Sequence, residues 1–177
     1  CSLNEAIKYL NIDNSKVYNI SSACDQSLFN NSSSNPKTLN HLLDYDFPFL
    51  LYSGAGDPRK NLKNLLKAYS LLSSELQKIY HLVLVGKLLS EEIDIIKEWI
   101  KNFHIKSNHI HMLGYVSDHD LVTLYRKCSL FVFPSLHEGF GLPILEAMSC
   151  GAAVIGSNST SIPEVIGLKE AMFDPCN

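Results

Sequence analysis

The feature that most constrains the fold of this chain is an alternation of short apolar runs with amphipathic segments. Six apolar runs predict buried strands at residues 47–53, 81–86, 109–114, 129–135, 152–157 and 171–174. Segments with helical spacing of apolar residues lie between them, at residues 61–76, 90–103, 117–128, 141–151 and 161–167. Strands that are apolar on both faces and alternate with helices are typical of a covered parallel sheet. We therefore predict an α/β fold with a doubly wound parallel sheet.

The first 45 residues differ from this pattern. Residues 26–38, QSLFNNSSSNPKT, are rich in Asn and Ser and predict a loop or linker. Before them, residues 4–10 predict the end of a helix and residues 16–21 a short strand. We divide the chain into a lead-in and interdomain linker, residues 1–45, and an α/β domain, residues 46–177. Because both termini look cut, we expect a fragment of a longer protein.

Composition excludes several classes of function. With 46% apolar and 19% charged residues, the chain can bury a substantial core, and its formal net charge of −3 argues against a broad nucleic-acid interface. No apolar run is long enough for a membrane span. Five cysteines without a C-x-x-C pair disfavour zinc or a disulfide framework and suit a reducing cytoplasm. The scattered histidines offer no third ligand at a standard spacing, so we predict no metal site.

Ligands of a doubly wound sheet bind beyond the carboxyl ends of its strands, so the residues after each strand are the candidates. The first strand is followed by GAGDPRKN, with Gly54 and then the cations Arg59 and Lys60. This arrangement can bind a diphosphate, but a plain turn with solvated charges is the commoner explanation for such a loop taken alone. Gly86 after the second strand and Tyr115–Val116 after the third predict either simple turns or a flat floor for a nucleobase.

The fourth strand is followed by HEGFGLPILEAMSCG, residues 137–151. Backbone N–H groups of the bend at residues 139–141, together with the positive end of the helix that it opens, can bind an anion. Glu146, inside that helix, can accept hydrogen bonds from a ribose diol, and Glu138 can hold a sugar hydroxyl or act as a base. A solvated loop acid and a helix-favouring acid would explain either glutamate singly. They do not explain why both flank one glycine-rich bend at the ligand-binding edge.

Residues 133–167, FPSLHEGFGLPILEAMSCGAAVIGSNSTSIPEVIG, closely resemble the signature region of the retaining glycosyltransferases of family 4, also called group 1. The mark of this family is a pair of glutamates with seven residues between them, here Glu138 and Glu146. Residues 51–72, 81–86 and 111–135 resemble the same family in the same order, and residues 15–29 resemble its interdomain strand and linker. The resemblance therefore covers essentially the whole chain.

The resemblance implies the C-terminal, donor-binding half of a GT-B enzyme, which has two Rossmann-like domains. It implies that Lys60 and Arg59 contact a nucleotide diphosphate and that Glu146 binds the ribose. Glu138 and the backbone of residues 139–142 are implied to hold the donor sugar and phosphate, with the base near Gly86. The implied catalytic residues are Glu138, Lys60 and Arg59. The implied substrate-binding residues are Glu146, Gly54, Gly86, Tyr115, Val116, Gly139, Phe140, Gly141 and Leu142.

The activity implied by the resemblance is metal-independent transfer of a hexose from a nucleotide diphosphate sugar to a glycan or lipid-linked acceptor, in surface polysaccharide synthesis. The stretch DPRKN, residues 57–61, resembles a subgroup linked to mannosyl or rhamnosyl transfer. The resemblance implies no cofactor besides the donor and no nucleic-acid partner. It implies a cytoplasmic enzyme and leaves open a position at the inner face of the membrane. A domain that binds only the donor should turn over poorly alone.

Three alternatives stay open on the residues. A hydrolase could use the two glutamates as acid and base or nucleophile, which requires their carboxyl groups about 5–9 Å apart across one glycosidic bond. A nucleotide-sugar epimerase of similar architecture and a non-catalytic sugar-nucleotide-binding module would need the same nucleotide contacts. Cleavage of a free glycoside without any nucleotide would favour the hydrolase.

Overall fold

The structure, a computed structural model, describes residues 2–32, 39, 42–43, 47–54 and 56–177. Its centre is a six-stranded sheet in the order β3-β2-β1-β4-β5-β6, and every pair of neighbours is parallel. The strands are β1 (Phe49–Ser53), β2 (His81–Val85), β3 (Ile110–Gly114), β4 (Leu130–Phe133), β5 (Val154–Ser157) and β6 (Met172–Phe173). The strand order reverses between β1 and β4, which places a topological switch point there.

Seven α-helices connect or flank these strands in the described residues: α1 (Ser2–Leu10), α2 (Leu62–Ser70), α3 (Ser74–Ile79), α4 (Ser90–Asn102), α5 (Asp118–Lys127), α6 (Leu142–Ser149) and α7 (Ile162–Ile166). Short 3-10 turns lie at Asn14–Lys16, Pro58–Lys60, Ser107–His109 and Lys169–Ala171. The single helix predicted over residues 61–76 is two helices. The Ser73 side chain accepts a hydrogen bond from the Leu76 N–H, and this cap starts α3 as a separate helix.

The two faces of the sheet carry separate apolar cores. Successive strand residues alternate between them, so that Leu51 and Phe131 pack on one side while Tyr52 and Val132 pack on the other. Helices α5, α6 and α7 contribute buried residues to the first side, and α2 and α4 contribute to the second. This arrangement confirms the predicted doubly wound α/β fold.

The lead-in segment differs in part from its prediction. The helix predicted over residues 4–10 is confirmed within α1, but the strand predicted over residues 16–21 is wrong. Tyr18 and Ile20 are 81% and 92% exposed, so they pack against almost nothing. The Asn19 side chain accepts a hydrogen bond from the Ser21 N–H, a local turn that competes with strand formation. The predicted domain boundary at residues 45 and 46 lies outside the described residues, and so does the second part of the predicted loop, residues 33–38.

The amino ends of β2 and β3 carry a stack of rings far from the carboxyl edge. His81 stacks on His109 at 4.9 Å and on His111 at 5.1 Å between centroids, and Phe47 covers His111 at 4.7 Å. His81 Nδ1 and His111 Nε2 lie 2.9 Å apart and share a hydrogen bond. His109 and His111 therefore share one neighbour, His81.

Candidate functional site

Two loops meet beyond the carboxyl ends of β1 and β4, at the switch point of the sheet. One runs from Gly54 to Asn61, and the other from Pro134 to Gly141. The Leu136 N–H donates to the Arg59 carbonyl at 2.8 Å, and the Asn61 side chain donates to the Pro134 carbonyl at 3.0 Å. The predicted phosphate loop and the predicted sugar loop are thus joined by direct hydrogen bonds.

The loop after β1 presents its two cations in different directions. Asp57 accepts from the Arg59 N–H at 2.8 Å and so opens the turn Pro58–Lys60. The Arg59 guanidinium folds back onto Asp57 at 2.6 Å and is 67% exposed, and this hydrogen bonding holds the pKa of the Asp57 carboxyl below its usual range. Lys60 turns inward instead, toward the loop after β4.

Lys60 and Glu138 form an ion pair between the two loops. The Lys60 Nζ lies 2.6 Å from Glu138 Oε1, and the two side chains are only 24% and 15% exposed. The same ammonium lies 5.4 Å from the centre of the Phe133 ring. In such a shielded position the loss of one partner leaves an unbalanced charge, which is costly. The pair therefore fixes the position of both side chains at the centre of the candidate site.

Gly54 lies directly over a buried tyrosine. A Cβ at position 54 would lie 2.6 Å from the Tyr52 hydroxyl oxygen, so only glycine lets the backbone come this close. Burial, with the negative charges of Asp57 and Glu138 nearby, raises the pKa of Tyr52 well above its ordinary value. Its hydroxyl therefore stays protonated under all physiological conditions. The sequence predicts Tyr52 only as part of the buried strand at residues 47–53.

The bend at residues 139–142 opens helix α6. Gly141 has a φ of 103°, a left-handed conformation that disfavours any side chain, and it precedes Leu142 and Pro143 at the helix start. Phe140 is partly exposed, and Leu142 is 38% exposed. The positive end of the α6 dipole therefore opens at the edge where Lys60 and Glu138 lie.

Glu146 occupies the second turn of α6 and has a different partner from Glu138. The Tyr125 hydroxyl donates to its Oε2 at 3.4 Å, a long hydrogen bond. Glu146 is half-buried, and burial raises the pKa of its carboxyl, although the tyrosine opposes this rise. The two glutamates are thus oriented by separate contacts, Glu138 by Lys60 and Glu146 by Tyr125.

The loops after β2 and β3 lie side by side at Gly86 and Gly114. The Gly86 N–H donates to the Gly114 carbonyl at 2.9 Å, and the φ values are 140° and 68°. Tyr115 is 79% exposed, whereas Val116 is buried in the core. A ligand could therefore contact the Tyr115 ring but only the backbone of Val116.

Four residues of the site were missed by sequence reasoning: Asn61, Tyr125, Thr160 and Ser161. Asn61, with a φ of 60°, also donates to the Pro175 carbonyl at 2.9 Å, and so links the phosphate loop to the end of the chain. Thr160 and Ser161 contact the Glu138 bend from the loop after β5. The polar run SNSTS at residues 157–161, directly after a predicted strand, was the available signal.

Neither a metal centre nor a membrane span is found in the part of the chain that the structure describes. There, no three or more His, Cys, Asp or Glu side chains are placed to hold a metal ion. Within the same residues, no helix is both long and apolar enough to cross a bilayer. Cys128 and Cys150 are free thiols, and burial raises their pKa values to about 12 and about 11.

The chain has the same fold as domains of solved glycosyltransferase structures. The structure of Anabaena Alr3699/HepE in complex with UDP-glucose superposes with a TM-score of 0.82 at 22% identity, over 98% of this chain and 48% of that one. The C-terminal domain of a glycosyl transferase group 1 family protein, LpcC of Francisella tularensis, gives a TM-score of 0.67 at 21% identity, over 86% of this chain and 80% of that one. The fold is therefore the Rossmann-like half of a GT-B architecture.

Sequence comparison assigns the family. Residues 38–177 match the group described as "Glycosyl transferases group 1", and the chain belongs to this family. The serotype-specific mannosyltransferase WbdA of Escherichia coli is 44% identical over 97% of the chain, which spans 21% of that relative's length. The O-antigen chain mannosyltransferase B of Escherichia coli is 46% identical over 72% of the chain, which spans 33% of that relative. The family resemblance read from residues 133–167 is thereby confirmed.

Proposed function

We propose that the chain is the donor-binding domain of a retaining glycosyltransferase that transfers a hexose from a nucleotide diphosphate sugar, without a metal ion. The observation that carries this proposal is the shielded Lys60–Glu138 ion pair, 2.6 Å long, at the switch point of the sheet. It joins the loops after β1 and β4 on the edge where α6 begins. A cation and a helix start suit the diphosphate of a sugar nucleotide. The two oriented carboxylates suit its ribose and sugar hydroxyls.

The names of relatives support a narrower proposal about the substrates. Two curated relatives are mannosyltransferases, and one of them acts on O-antigen chains. We infer that the donor sugar is mannose or a mannose-like hexose, that the acceptor is a growing glycan or a lipid-linked glycan, and that the product is a surface polysaccharide. Such acceptors would bring the whole enzyme to the inner face of the cytoplasmic membrane.

The proposed mechanism relies on electrostatic stabilisation. When the bond between the sugar and the phosphate breaks, negative charge develops on the departing nucleoside diphosphate. The Lys60 ammonium and the N–H groups of the bend at residues 139–142 stabilise that charge, while Arg59 contributes from the exposed side of the loop. Glu146 accepts hydrogen bonds from the ribose hydroxyls. Glu138 orients the sugar toward the acceptor hydroxyl.

The ion pair gives this mechanism a definite first step. Lys60 donates a hydrogen bond to Glu138, so an arriving diphosphate competes with a carboxylate for the same ammonium. Once the phosphate has taken part of the Lys60 charge, the Glu138 carboxylate becomes available to sugar hydroxyls. Diphosphate binding to Lys60 thus holds the leaving group and also releases the Glu138 carboxylate, which can then bind the sugar.

Isothermal titration calorimetry of the chain with UDP, GDP and dTDP tests the proposal. We expect at least one of the three to bind with a dissociation constant below millimolar. Binding of none of them at millimolar concentration would contradict the donor-domain assignment. A glycoside hydrolase, by contrast, would cleave a free glycoside in the absence of nucleotide.

A further inference from the structure

The loop after β5 forms hydrogen bonds with the backbone of the bend at residues 138–140. The Glu138 N–H donates to Thr160 Oγ1 at 3.0 Å. The Ser161 hydroxyl lies 2.9 Å from the Glu138 carbonyl oxygen and 3.0 Å from that of Phe140, and it donates to both. The hydroxyls of Thr160 and Ser161 therefore form hydrogen bonds with three backbone groups of the bend at residues 138–140. The same bend carries the Glu138 carboxylate, which is proposed to hold the sugar.

Thr160 adopts an unfavourable backbone conformation to make this contact. Its φ is 52°, in the left-handed region, which is a genuine outlier for a β-branched residue. Such strain persists where surrounding structure imposes it, and it clusters at functional sites. Here the conformation brings the hydroxyl of Thr160 to the Glu138 N–H. Ser161, the next residue, is 2% exposed and gives its hydroxyl to the same bend.

The consequence for Glu138 is a fixed backbone. Its N–H and its carbonyl are both held by the loop after β5, so its carboxylate can change partner only by rotating the side chain. The carboxylate must turn from Lys60 to a sugar hydroxyl by such a rotation, starting from one defined Cα position. Preorganisation of this kind determines whether a hydroxyl lies within hydrogen-bond distance.

We propose that Thr160 and Ser161 are positioning residues for the donor sugar, which fix the Glu138–Phe140 backbone so that Glu138 meets the sugar hydroxyls. This inference rests on the proposed function. It assigns to the loop after β5 an effect on the sugar part of the donor and little effect on the diphosphate part. Lys60, the cationic contact to the diphosphate, lies on a different segment, the loop after β1.

The test compares a sugar nucleotide with its nucleoside diphosphate on the same 177-residue chain. Thr160→Val removes the hydroxyl and keeps the shape, and Thr160→Ser keeps the hydroxyl. Titration with GDP-mannose and GDP, or with UDP-glucose and UDP if the wild type prefers uridine, gives two dissociation constants for each variant. We expect Thr160→Val to weaken the sugar nucleotide about tenfold and the diphosphate less than about twofold, with Thr160→Ser close to wild type.

Further variants keep the test decisive if Thr160→Val does not fold. Thr160→Gly removes the hydroxyl while relieving the positive-φ strain, and Ser161→Ala removes the other donor. Thr160→Gly should show the same selective loss of sugar-nucleotide binding, and Ser161→Ala, which also loosens the Phe140 carbonyl, should weaken the sugar nucleotide more than the diphosphate. Equal weakening of both nucleotides, no weakening of either, or failure of Thr160→Ser to restore binding would overturn the inference. A wild-type chain that binds neither nucleotide would instead overturn the proposed function itself.

Discussion

The ammonium of Lys60 lies 2.6 Å from the carboxylate of Glu138, and both side chains are largely shielded from water. Because the two groups neutralise each other, removal of one changes the charge that a ligand meets. Removing Glu138 leaves a positive site with a free cation. Removing Lys60 leaves a negative site that repels phosphate. These opposite effects separate the two roles more sharply than loss of activity could.

Glu138→Gln should therefore strengthen the binding of a nucleoside diphosphate that lacks a sugar. The competing charge is gone, so we expect a gain of about 1 kcal/mol, or roughly fivefold in the dissociation constant. Calorimetry with GDP and UDP measures this gain. Glu170→Gln makes the same charge change on an exposed residue and serves as the matched control. Unchanged or weaker binding in Glu138→Gln would show that Glu138 does not restrain Lys60.

Lys60→Met should weaken diphosphates far more than nucleosides. A charge-assisted hydrogen bond contributes about 1.5–3 kcal/mol, so we expect at least a tenfold loss for GDP and little change for guanosine. Arg59→Ala should lose less, since the Arg59 guanidinium is exposed and already bound to Asp57. Lys67→Met, an exposed site on α2, controls for net charge. Similar losses for GDP and guanosine would remove Lys60 from the diphosphate site.

The sequence predicts where some of these residues lie, but it does not predict their side-chain contacts. Lys60, Glu138 and Gly141 each follow a strand at the predicted ligand edge, so their common location follows from topology. The direct Lys60–Glu138 contact and the turn of Arg59 toward Asp57 depend on side-chain directions, which spacing does not encode. Thr160 acts through a loop 22 positions away from its partner, Glu138, and no local period marks such a contact.

At the scale of elements, the apolar runs located every strand of the sheet, because the central strands are mostly buried and the outer strands are at least partly buried. Helix ends were harder to predict, since they depend on single caps. Ser73 divides the stretch predicted as one helix, although its apolar stripe continues through Leu72. The strand predicted at residues 16–21 has suitable residues, but Tyr18 and Ile20 lie almost fully in solvent. A strand needs a neighbouring strand to pair with as well as residues of suitable composition.

The ring stack at the amino ends of β2 and β3 makes a second prediction at this scale. His81 and His109 are buried, and burial lowers the pKa of each ring below its ordinary value of 6.5. His111 adds to the lowering at His81, and Lys106 and Lys78 add to it at His109. As the pH falls, His81 and His109 are therefore protonated at a higher pH in the unfolded chain than in the folded protein. Stability should be full above about pH 6.5 and decline below it, through the lowered values.

Urea unfolding at pH 7.5, 6.0 and 5.0 measures this decline. The slope should reach up to about 1.4 kcal/mol per pH unit for each proton taken up on unfolding. His81→Phe keeps a ring in the stack and should flatten the dependence. His119→Gln, on the outer face of α5, should leave it as in the wild type. Equal unfolding free energies at all three pH values would contradict a neutral histidine stack.

At the scale of the whole molecule, the proposed function rests on the contact between Lys60 and Glu138. These residues lie 78 positions apart in the chain and meet at the reversal of strand order. The sheet brings a cation-bearing loop and a helix-opening bend to one edge, which is what a diphosphate requires. The parallel topology of the sheet predicts a ligand site at that edge. The chain spans about a fifth of the length of the mannosyltransferase WbdA relatives that it matches.

The most direct test of this account is to map a bound nucleoside diphosphate by NMR. The chain is titrated with the nucleotide that binds best in calorimetry, and amide shifts are followed in ¹⁵N-labelled protein. We expect the largest shifts in residues 56–61 and 137–146, with weaker changes near Gly86 and Tyr115. Shifts confined to other surfaces, such as the ring stack of His81, His109 and His111 at the amino ends of β2 and β3, would contradict a diphosphate site at Lys60 and Glu138.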